Sequence, residues 1–458
     1  MTTSLVRAAR PHRRVRAVVG MVAALALALP GAGAAPDPPR NLIVMISDGC
    51  GGATFDLARR VAGRPLALDA VRRGRVRTAS ADARVTDSAA GATAYASGVR
   101  TVNRRIGRDP LGRPLASWFV AAADRGMATG VVVTTDVTDA TPAAFYARVH
   151  DRRAQDSVAV QLIERRIDVV LGGGRRWFAP APDGGERKDG RDLIAEARAR
   201  GDRVVTDASQ LAAAGEGRLL GLFAHGSLDY RLDRDAAQPG LEAMTRIAIA
   251  RLARAPNGFV LVVEGSRIDH AGHQNDPAAH AREALEYDET ARAVLDWARR
   301  DGRTLVVATS DHETGGLRLA RPRGLRSERA PDPGMLRNVR ASVARMANAI
   351  AVSGDAEGVL AREAGLTDLD AGDRAKLSWA GNTRDRLREA LAGILNRHAG
   401  VSWSGEGHTA ADVPLFAAGP GSERLRGTLA NRDVGRRVAE AMGLPWGVER
   451  AAERAGTR

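Results

Sequence analysis

Short apolar runs rich in Val, Ile and Leu recur along this chain, separated by longer segments with helical periodicity, and no other feature restricts the fold as strongly. The runs are typical of buried strands; they span residues 42–46, 130–135, 167–171, 258–263, 303–309 and 413–418. Helical spacing is clearest in residues 241–255 and 281–300. Strands that alternate with helices predict an α/β fold, a doubly wound, largely parallel central sheet flanked by helices.

The first 34 residues have the composition of an export signal. Several arginines precede an apolar stretch that ends in Ala32-Gly-Ala34, a typical cleavage pattern. The stretch is short and broken by Pro30, so we expect no stable membrane span after cleavage. We predict a signal peptide at residues 1–34, a single domain over residues 35–458, and a protein that is exported to the periplasm or out of the cell.

The formal net charge of +14 comes mostly from arginine. The arginines are not gathered into a run with interleaved aromatic residues, so we expect no specific nucleic-acid partner, although a basic surface attracts small anions. The lone Cys50 excludes an intramolecular disulfide. We expect its thiol to pack in the core.

Acidic residues or histidines directly follow four of the predicted strands. They are Asp48 after the first strand, Asp136 and Asp139 after the second, Glu264, Asp269, His270 and His273 after the fourth, and Asp311 and His312 after the fifth. One aspartate after a strand is a common turn residue. Because ligands of open α/β sheets bind beyond the carboxyl ends of the strands, four such positions predict a shared site at that edge.

The residue types at this edge suggest metal ions. Two pairs join a carboxylate to an imidazole, as zinc sites often do, namely Asp269 with His273 and Asp311 with His312. Hard oxygen donors, which suit Mg²⁺ better, are Glu264, Asp139 and Thr141. His408, just before the last strand, is a further candidate.

The stretch VTDSAAGATAYASG, residues 85–98, places an acid and a hydroxyl before a run of small residues. Asp87 and Ser88 are typical of a helix N-cap. The unpaired N–H groups at the start of such a helix would also favour an incoming phosphate. The stretch alone therefore leaves open whether Ser88 is a cap or a nucleophile.

Six motifs together resemble the alkaline phosphatase family, over a span from about Asn41 to about Pro420. They are NLIVMISDGCG (41–51), VTDSAAGATAYASG (85–98), TTDVTDATPAAFYARVHDR (134–152), VEGSRIDHAGH (263–273), TSDHETGG (309–316) and GEGHTAADVPLFAAGP (405–420). The resemblance implies hydrolysis of small phosphate monoesters through a phosphoserine intermediate.

The resemblance also implies a role for each site residue. Two zinc ions would be held by Asp269, His273 and His408, and by Asp48, Asp311 and His312. One magnesium ion would be held by Thr141, Glu264 and the bridging Asp48, with Asp139 in its shell. Ser88 would be the nucleophile and Arg152 the phosphate clamp, with Asp87 orienting Arg152. His270, where some bacterial members have lysine, would help to orient substrate.

Residues 318–403 contain none of these motifs. Helical patterns at 335–354 and 381–400 predict a mostly helical insertion that caps the active-site edge. Leu336, Val339, Val343, Met346 and Ile350 recur at the spacing of a core face. The sequence leaves open whether this insertion shapes substrate access or forms a subunit contact, as in a homodimer.

Two other functions compete with the phosphomonoesterase. A phosphodiesterase or sulfatase could use the same scaffold, but the second substituent of a diester would crowd Arg152. A non-catalytic secreted protein that binds polyanions would exploit the positive charge, but it has no use for a nucleophile such as Ser88.

Overall fold

A ten-stranded sheet forms the centre of the fold. The computed structural model describes residues 38–319 and 332–448. The predicted signal peptide, residues 1–34, lies outside these ranges, so export stays a prediction. In chain order the strands are β1 (Asn41–Ile46), β2 (Arg72–Arg77), β3 (Leu115–Ala116), β4 (Ala128–Asp136), β5 (Val169–Gly173), β6 (Arg203–Val205), β7 (Leu219–Leu222), β8 (Phe259–Glu264), β9 (Thr304–Thr309), β10 (Glu313–Thr314), β11 (Arg318–Leu319), β12 (Val401–Ser402), β13 (His408–Thr409), β14 (Val413–Ala418), β15 (Gly427–Ala430) and β16 (Gly447–Val448).

The α-helices lie between these strands and differ widely in length. In chain order they are α1 (Gly52–Ala62), α2 (Ser88–Ser97), α3 (Trp118–Asp124), α4 (Ala140–Tyr146), α5 (Gln155–Arg165), α6 (Leu193–Ala199), α7 (Ala208–Ala212), α8 (Leu241–Leu252), α9 (Arg267–His273), α10 (Pro277–Asp301), α11 (Val343–Ser353), α12 (Ala356–Ala364), α13 (Ala371–Ala380), α14 (Arg384–Ala399) and α15 (Asn431–Ala441). Among the helices of the described ranges, none is both long and apolar enough to cross a bilayer.

The strand order of the central sheet is β15-β2-β14-β9-β1-β8-β4-β5-β7-β6. Strand β14 runs antiparallel to both of its neighbours, and all other neighbouring pairs are parallel. Strand β1 lies between β8 and β9, so the carboxyl ends of these three strands meet at one edge. The prediction of a largely parallel sheet is confirmed.

Helices cover both faces of this sheet. Side chains alternate along β1, so that Ile43 and Met45 pack with α1, α8 and α10 on one face. Leu42 and Val44 pack with α2, α3, α4 and α15 on the other face. A strand buried on both sides needs apolar residues at every position, which explains the continuous run in β1 and confirms the doubly wound arrangement.

Between β11 and β12 the described residues form the helices α11 to α14; residues 320–331 of this segment lie outside the described ranges. The prediction of one helix over residues 335–354 is wrong at its N-terminal end. Pro333–Asn338 forms a 3₁₀ helix, and α11 begins only after Ser342, whose hydroxyl accepts a hydrogen bond from the N–H of Arg345 at 3.1 Å. The predicted apolar face is buried, while the role of the segment as a cap stays a prediction.

Candidate active site

Ser88 is the first residue of α2, at the edge where β1, β8 and β9 end. Asp87 caps the helix, its carboxylate accepting a hydrogen bond from the N–H of Ala90 at 3.0 Å. Ser88 is 3% exposed, and its Oγ lies 3.2 Å from Nε2 of His312. A Cβ added at Gly91 would lie 3.2 Å from Cβ of Asp311. The small residues of α2 therefore allow the helix to approach the loop after β9 closely.

Three buried carboxylates converge beside Ser88. Asp48 follows β1, Glu264 ends β8, and Asp311 follows β9. Oδ1 of Asp48, Oδ2 of Asp311 and both carboxylate oxygens of Glu264 are buried without a hydrogen-bond partner, as is the hydroxyl of Thr141. Buried polar atoms are normally hydrogen-bonded. Such a concentration of unpartnered oxygens is a donor set for a hard cation.

The electrostatics of this carboxylate cluster also favour a bound cation. Burial raises the pKa of Asp48 well above its ordinary value, and the charge of Asp311 raises it further. Burial also raises the pKa of Glu264, helped by the charge of Asp139. The protein itself therefore destabilises the ionised form of these groups, and a bound cation would compensate for this cost.

Three histidines present their Nε2 atoms to the same edge. Nδ1 of His273 contacts the main-chain oxygen of Glu406, and Nδ1 of His408 lies 3.1 Å from that of Thr86. A carbonyl oxygen can only accept a hydrogen bond, so each Nδ1 carries a hydrogen, and in the neutral imidazole Nε2 then keeps its lone pair. His312 is held similarly, with Nδ1 3.3 Å from the hydroxyl of Thr314. This is the arrangement of metal-ligating histidines.

Asp269 connects these histidines. Its Oδ2 lies 3.2 Å from Nε2 of His273, and its Oδ1 accepts a hydrogen bond of 2.5 Å from Thr314. Although burial opposes it, the hydrogen bond with His273 holds the pKa of Asp269 well below its ordinary value. The same bond raises the pKa of His273 to about 8. A Cβ at Gly49, where φ is 77°, would lie 2.8 Å from Cα of Asp269, so the β1 loop closely approaches α9.

Two groups of three side chains each place one ligand atom within 4.8 Å of one another. The first group, Asp48, Asp311 and His312, is one of the two zinc-ligand sets that the family resemblance implies. The second group, Asp269, His312 and His408, shares two members with the set predicted for the first zinc. His273, the third predicted member, has its Nε2 only 3.1 Å from Nε2 of His408, and the rings of His312 and His408 stack at 3.5 Å.

Arg152 lies between two carboxylates. Its Nη2 donates to Asp139 at 3.0 Å, and its Nη1 lies 3.4 Å from Asp87. Although burial opposes it, the charges of Asp139 and Asp87 raise the pKa of Arg152 above its ordinary value. The charge of Arg152 in turn helps to lower the pKa of Asp139, against the effect of burial. Asp87 thus both caps α2 and contacts Arg152, whereas the contact of Asp139 with Arg152 was not predicted.

His270 and Cys50 take less central positions. Nδ1 of His270 lies 2.7 Å from a guanidinium nitrogen of Arg267. The guanidinium carbon of Arg267 lies 3.9 Å from the centre of the Tyr230 ring. Burial, followed by the charge of Arg267, lowers the pKa of His270. Cys50 is fully buried, and burial raises the pKa of its thiol, in agreement with the predicted packing role.

Sequence reasoning missed two hydroxyl groups that fix the ligands. Thr314 bridges Asp269 and His312. Ser310 donates to the main-chain oxygen of His312 at 2.6 Å and accepts from the N–H of Cys50 at 3.0 Å. Both lie two residues from His312 within the motif TSDHETGG, so their proximity to a ligand was the available signal.

Comparison with known proteins agrees with this geometry. A sequence model described as alkaline phosphatase matches residues 39–444. A repressible alkaline phosphatase of Saccharomyces cerevisiae is 37% identical over 432 residues, covering 82% of this chain and 75% of that protein. Alkaline phosphatase 3 of Bacillus subtilis is 33% identical over 435 residues, which cover 89% of this chain and 89% of that protein. The crystal structure of the Thermus thermophilus alkaline phosphatase superimposes with a TM-score of 0.81 at 32% identity, covering 90% of this chain and 93% of that one.

Proposed function

This chain belongs to the alkaline phosphatase family, and on that premise we propose that it hydrolyses phosphate monoesters through a phosphorylated Ser88. The chain is an enzyme, an alkaline phosphatase, rather than a non-catalytic polyanion-binding protein. The observation that carries the proposed intermediate is the position of Ser88. Its Oγ is buried at the start of α2 and lies 3.2 Å from His312 at the edge where the unpartnered carboxylates converge.

Ser88 and α2 would act together on the phosphoryl group. Ser88 Oγ forms a bond to phosphorus while the bond between phosphorus and the ester oxygen breaks, and the alcohol leaves with a proton. Water then cleaves the phosphoserine, which releases inorganic phosphate and restores the hydroxyl group. The free N–H groups and the positive end of the α2 dipole favour the negative charge of the phosphoryl oxygens throughout.

Arg152 would bind two non-bridging phosphoryl oxygens with its planar guanidinium group. Its contacts with Asp87 and Asp139 hold that group in place, so little conformational freedom is lost when substrate binds. Its side chain is 27% exposed, which leaves the guanidinium accessible to a substrate that arrives from solvent. We expect His270 to help orient the substrate.

The residues of the edge fit two zinc ions and one magnesium ion. Asp269, His273 and His408 would hold one zinc and Asp48, Asp311 and His312 the other, while Thr141, Glu264 and Asp48 would hold magnesium, with Asp139 nearby. Bound ions of this kind lower the pKa of coordinated hydroxyl groups and water and neutralise developing negative charge. The unpartnered oxygens of Asp48, Glu264 and Thr141 support the fit.

Acid quenching during turnover of p-nitrophenyl phosphate, followed by peptide mass spectrometry, tests the intermediate. We expect phosphate on Ser88 in the native enzyme, and no phosphopeptide and almost no turnover in Ser88→Ala. The matched control is Ser97→Ala, at the other end of α2, where the hydroxyl donates to the main-chain oxygen of Thr93 at 2.7 Å and otherwise contacts only the main chain of Val99 among the described residues. Full turnover by Ser88→Ala would refute the mechanism. Faster turnover of bis-p-nitrophenyl phosphate or p-nitrophenyl sulfate would refute the substrate class.

A further inference from the structure

A second concentration of charge lies away from the candidate active site. A cavity of about 810 Å³, open to solvent, lies between α10, the loop at residues 231–232 and the segment from residue 337 to residue 365. Five arginines line it, namely Arg231, Arg282, Arg337, Arg340 and Arg362. Among the described residues no acidic side chain lines this arginine cavity, and neither does any candidate metal ligand.

Only part of this positive charge is compensated by carboxylates. Arg231 pairs with Glu289 at 2.8 Å, and Arg362 lies 3.4 Å from Asp355. For the other three arginines, no carboxylate of the described ranges comes within ion-pair distance. The guanidinium of Arg337 donates instead to the main-chain oxygen of Val61 at 2.8 Å.

Arg282 and Arg231 are half-buried, whereas the other three arginines are exposed. Within the described part of the chain, Arg282 lacks a carboxylate partner within ion-pair distance. Its Nε is buried and has no hydrogen-bond partner. Burial lowers the pKa of Arg282, and the charge of Arg231 lowers it further. Gathering five like charges with only two paired carboxylates costs folding free energy, and an anion in the cavity would offset this cost.

We propose that the arginine cavity binds a small polyanion that carries two or more phosphate groups. Guanidinium groups bind phosphate oxygens in pairs with fixed geometry. One phosphate group carries at most two negative charges at neutral pH, so several anionic groups on one molecule match five arginines better. The volume falls in the usual range of small-molecule sites, about 300–1,000 Å³. A concave site of this size favours a compact molecule over an extended polymer.

Calorimetric titration of the metal-loaded enzyme with myo-inositol hexasulfate tests this site. The probe carries six anionic groups and is not a phosphate ester, and inorganic phosphate in the buffer occupies the candidate active site. We expect one molecule bound per chain. Arg282→Gln with Arg340→Gln should weaken the Kd at least about tenfold, since a tenfold change corresponds to the loss of about one charge-assisted hydrogen bond.

The matched control also removes two arginine charges, but from positions that do not line the arginine cavity. Arg246 and Arg299 are exposed and pair only with neighbours on their own helices, so Arg246→Gln with Arg299→Gln should change the Kd less than about twofold. Equal weakening in both double variants would show attraction by net charge alone and overturn the proposal. Absence of stoichiometric binding to the native enzyme would also overturn it.

Two further measurements keep the test independent of folding and of catalysis. Arg340 is exposed, so Arg340→Gln alone should preserve the fold and still weaken binding measurably; an unchanged Kd would count against the site. The proposal does not rest on the phosphoserine mechanism. Ser88→Ala should therefore bind the probe as the native enzyme does, whether or not Ser88 is the nucleophile.

Discussion

The candidate active site contains two sets of acidic side chains, which differ in whether the protein itself supplies a partner for their charge. Asp48, Glu264 and Asp311 are buried and retain oxygens without hydrogen-bond partners. Asp87 and Asp139 lie a short distance away along the same edge and contact Arg152. Burial and like charges raise the pKa of Asp48 and Glu264, whereas Arg152 helps to lower the pKa of Asp139 despite its burial.

The comparison shows that carboxylates in one site can support the binding of an anion or of a cation. A carboxylate paired with an arginine is satisfied within the protein, and it positions that arginine for an anion. A buried carboxylate without a partner is unfavourable until a cation arrives from outside. We therefore expect the unpaired set to depend on bound metal ions, whereas the contacts of Asp87 and Asp139 with Arg152 should form without them.

Removal of metal should separate the two sets most sharply. Dialysis against a chelator should reduce phosphatase activity more than about a thousandfold and lower the Tm, because the unpaired carboxylates then repel one another. Adding Zn²⁺ and Mg²⁺ together should restore both quantities. Activity and Tm are measured on the same samples, with metal content determined by mass spectrometry. Full activity without bound metal would contradict the proposed role of the unpaired set.

The sequence predicted this edge well because its strands are buried on both faces. Strands β1, β8 and β9 are apolar runs followed by the candidate metal ligands, so the pattern and the motif coincide. Strand β2 was missed, since its sequence RRGRVR buries only Val76 and exposes arginines near the end of the sheet. Strand β15, GTLA, is short and likewise buries one residue, Leu429.

Contacts between distant loops were beyond sequence reasoning. The stacking of His312 on His408 and the contact of Arg152 with Asp139 depend on how separate loops meet. The arginine cavity was missed for the same reason, because its charges come from three separate segments. Motifs indicate which residues take part in a site, while their pairing is decided by tertiary packing.

Glu264→Gln should change the unpaired set with opposite effects on stability and activity. The metal-free protein should gain about 1 kcal/mol or more in free energy of unfolding, because a buried, unpartnered charge is removed. The metal-loaded enzyme should lose about a hundredfold in kcat, with weaker Mg²⁺ retention. Denaturant unfolding of both forms measures the first effect, and steady-state kinetics measure the second. Destabilisation of the metal-free protein would show that Glu264 has a partner within the fold.

Arg152→Lys should affect the paired set without disturbing the metals. A lysine keeps the charge, but it can neither contact Asp87 and Asp139 together nor bind two phosphoryl oxygens in one plane. We expect kcat/KM to fall about ten- to thirtyfold and inhibition by phosphate to weaken, at unchanged zinc content. Arg153→Lys, at the adjacent position, is the control. Native kcat/KM in Arg152→Lys would show that the guanidinium geometry is not used.

Asp87→Asn should have the smallest effect, and it separates the helix cap from the contact with Arg152. Asparagine caps helices about as well as aspartate, so the Tm should fall only by the loss of the hydrogen bond that the carboxylate accepts from the N–H of Arg104 at 2.9 Å. The loss of charge beside Arg152 should raise KM about threefold. Asp87→Ala removes the cap as well and should cost about 1 kcal/mol of stability in addition. Comparison of the two variants by thermal unfolding and steady-state kinetics therefore distinguishes cap from orienting group. Equal KM values for Asp87→Asn and the native enzyme would leave Asp87 only its main-chain contacts at Ala90 and Arg104, and the paired set would then reduce to Arg152 and Asp139.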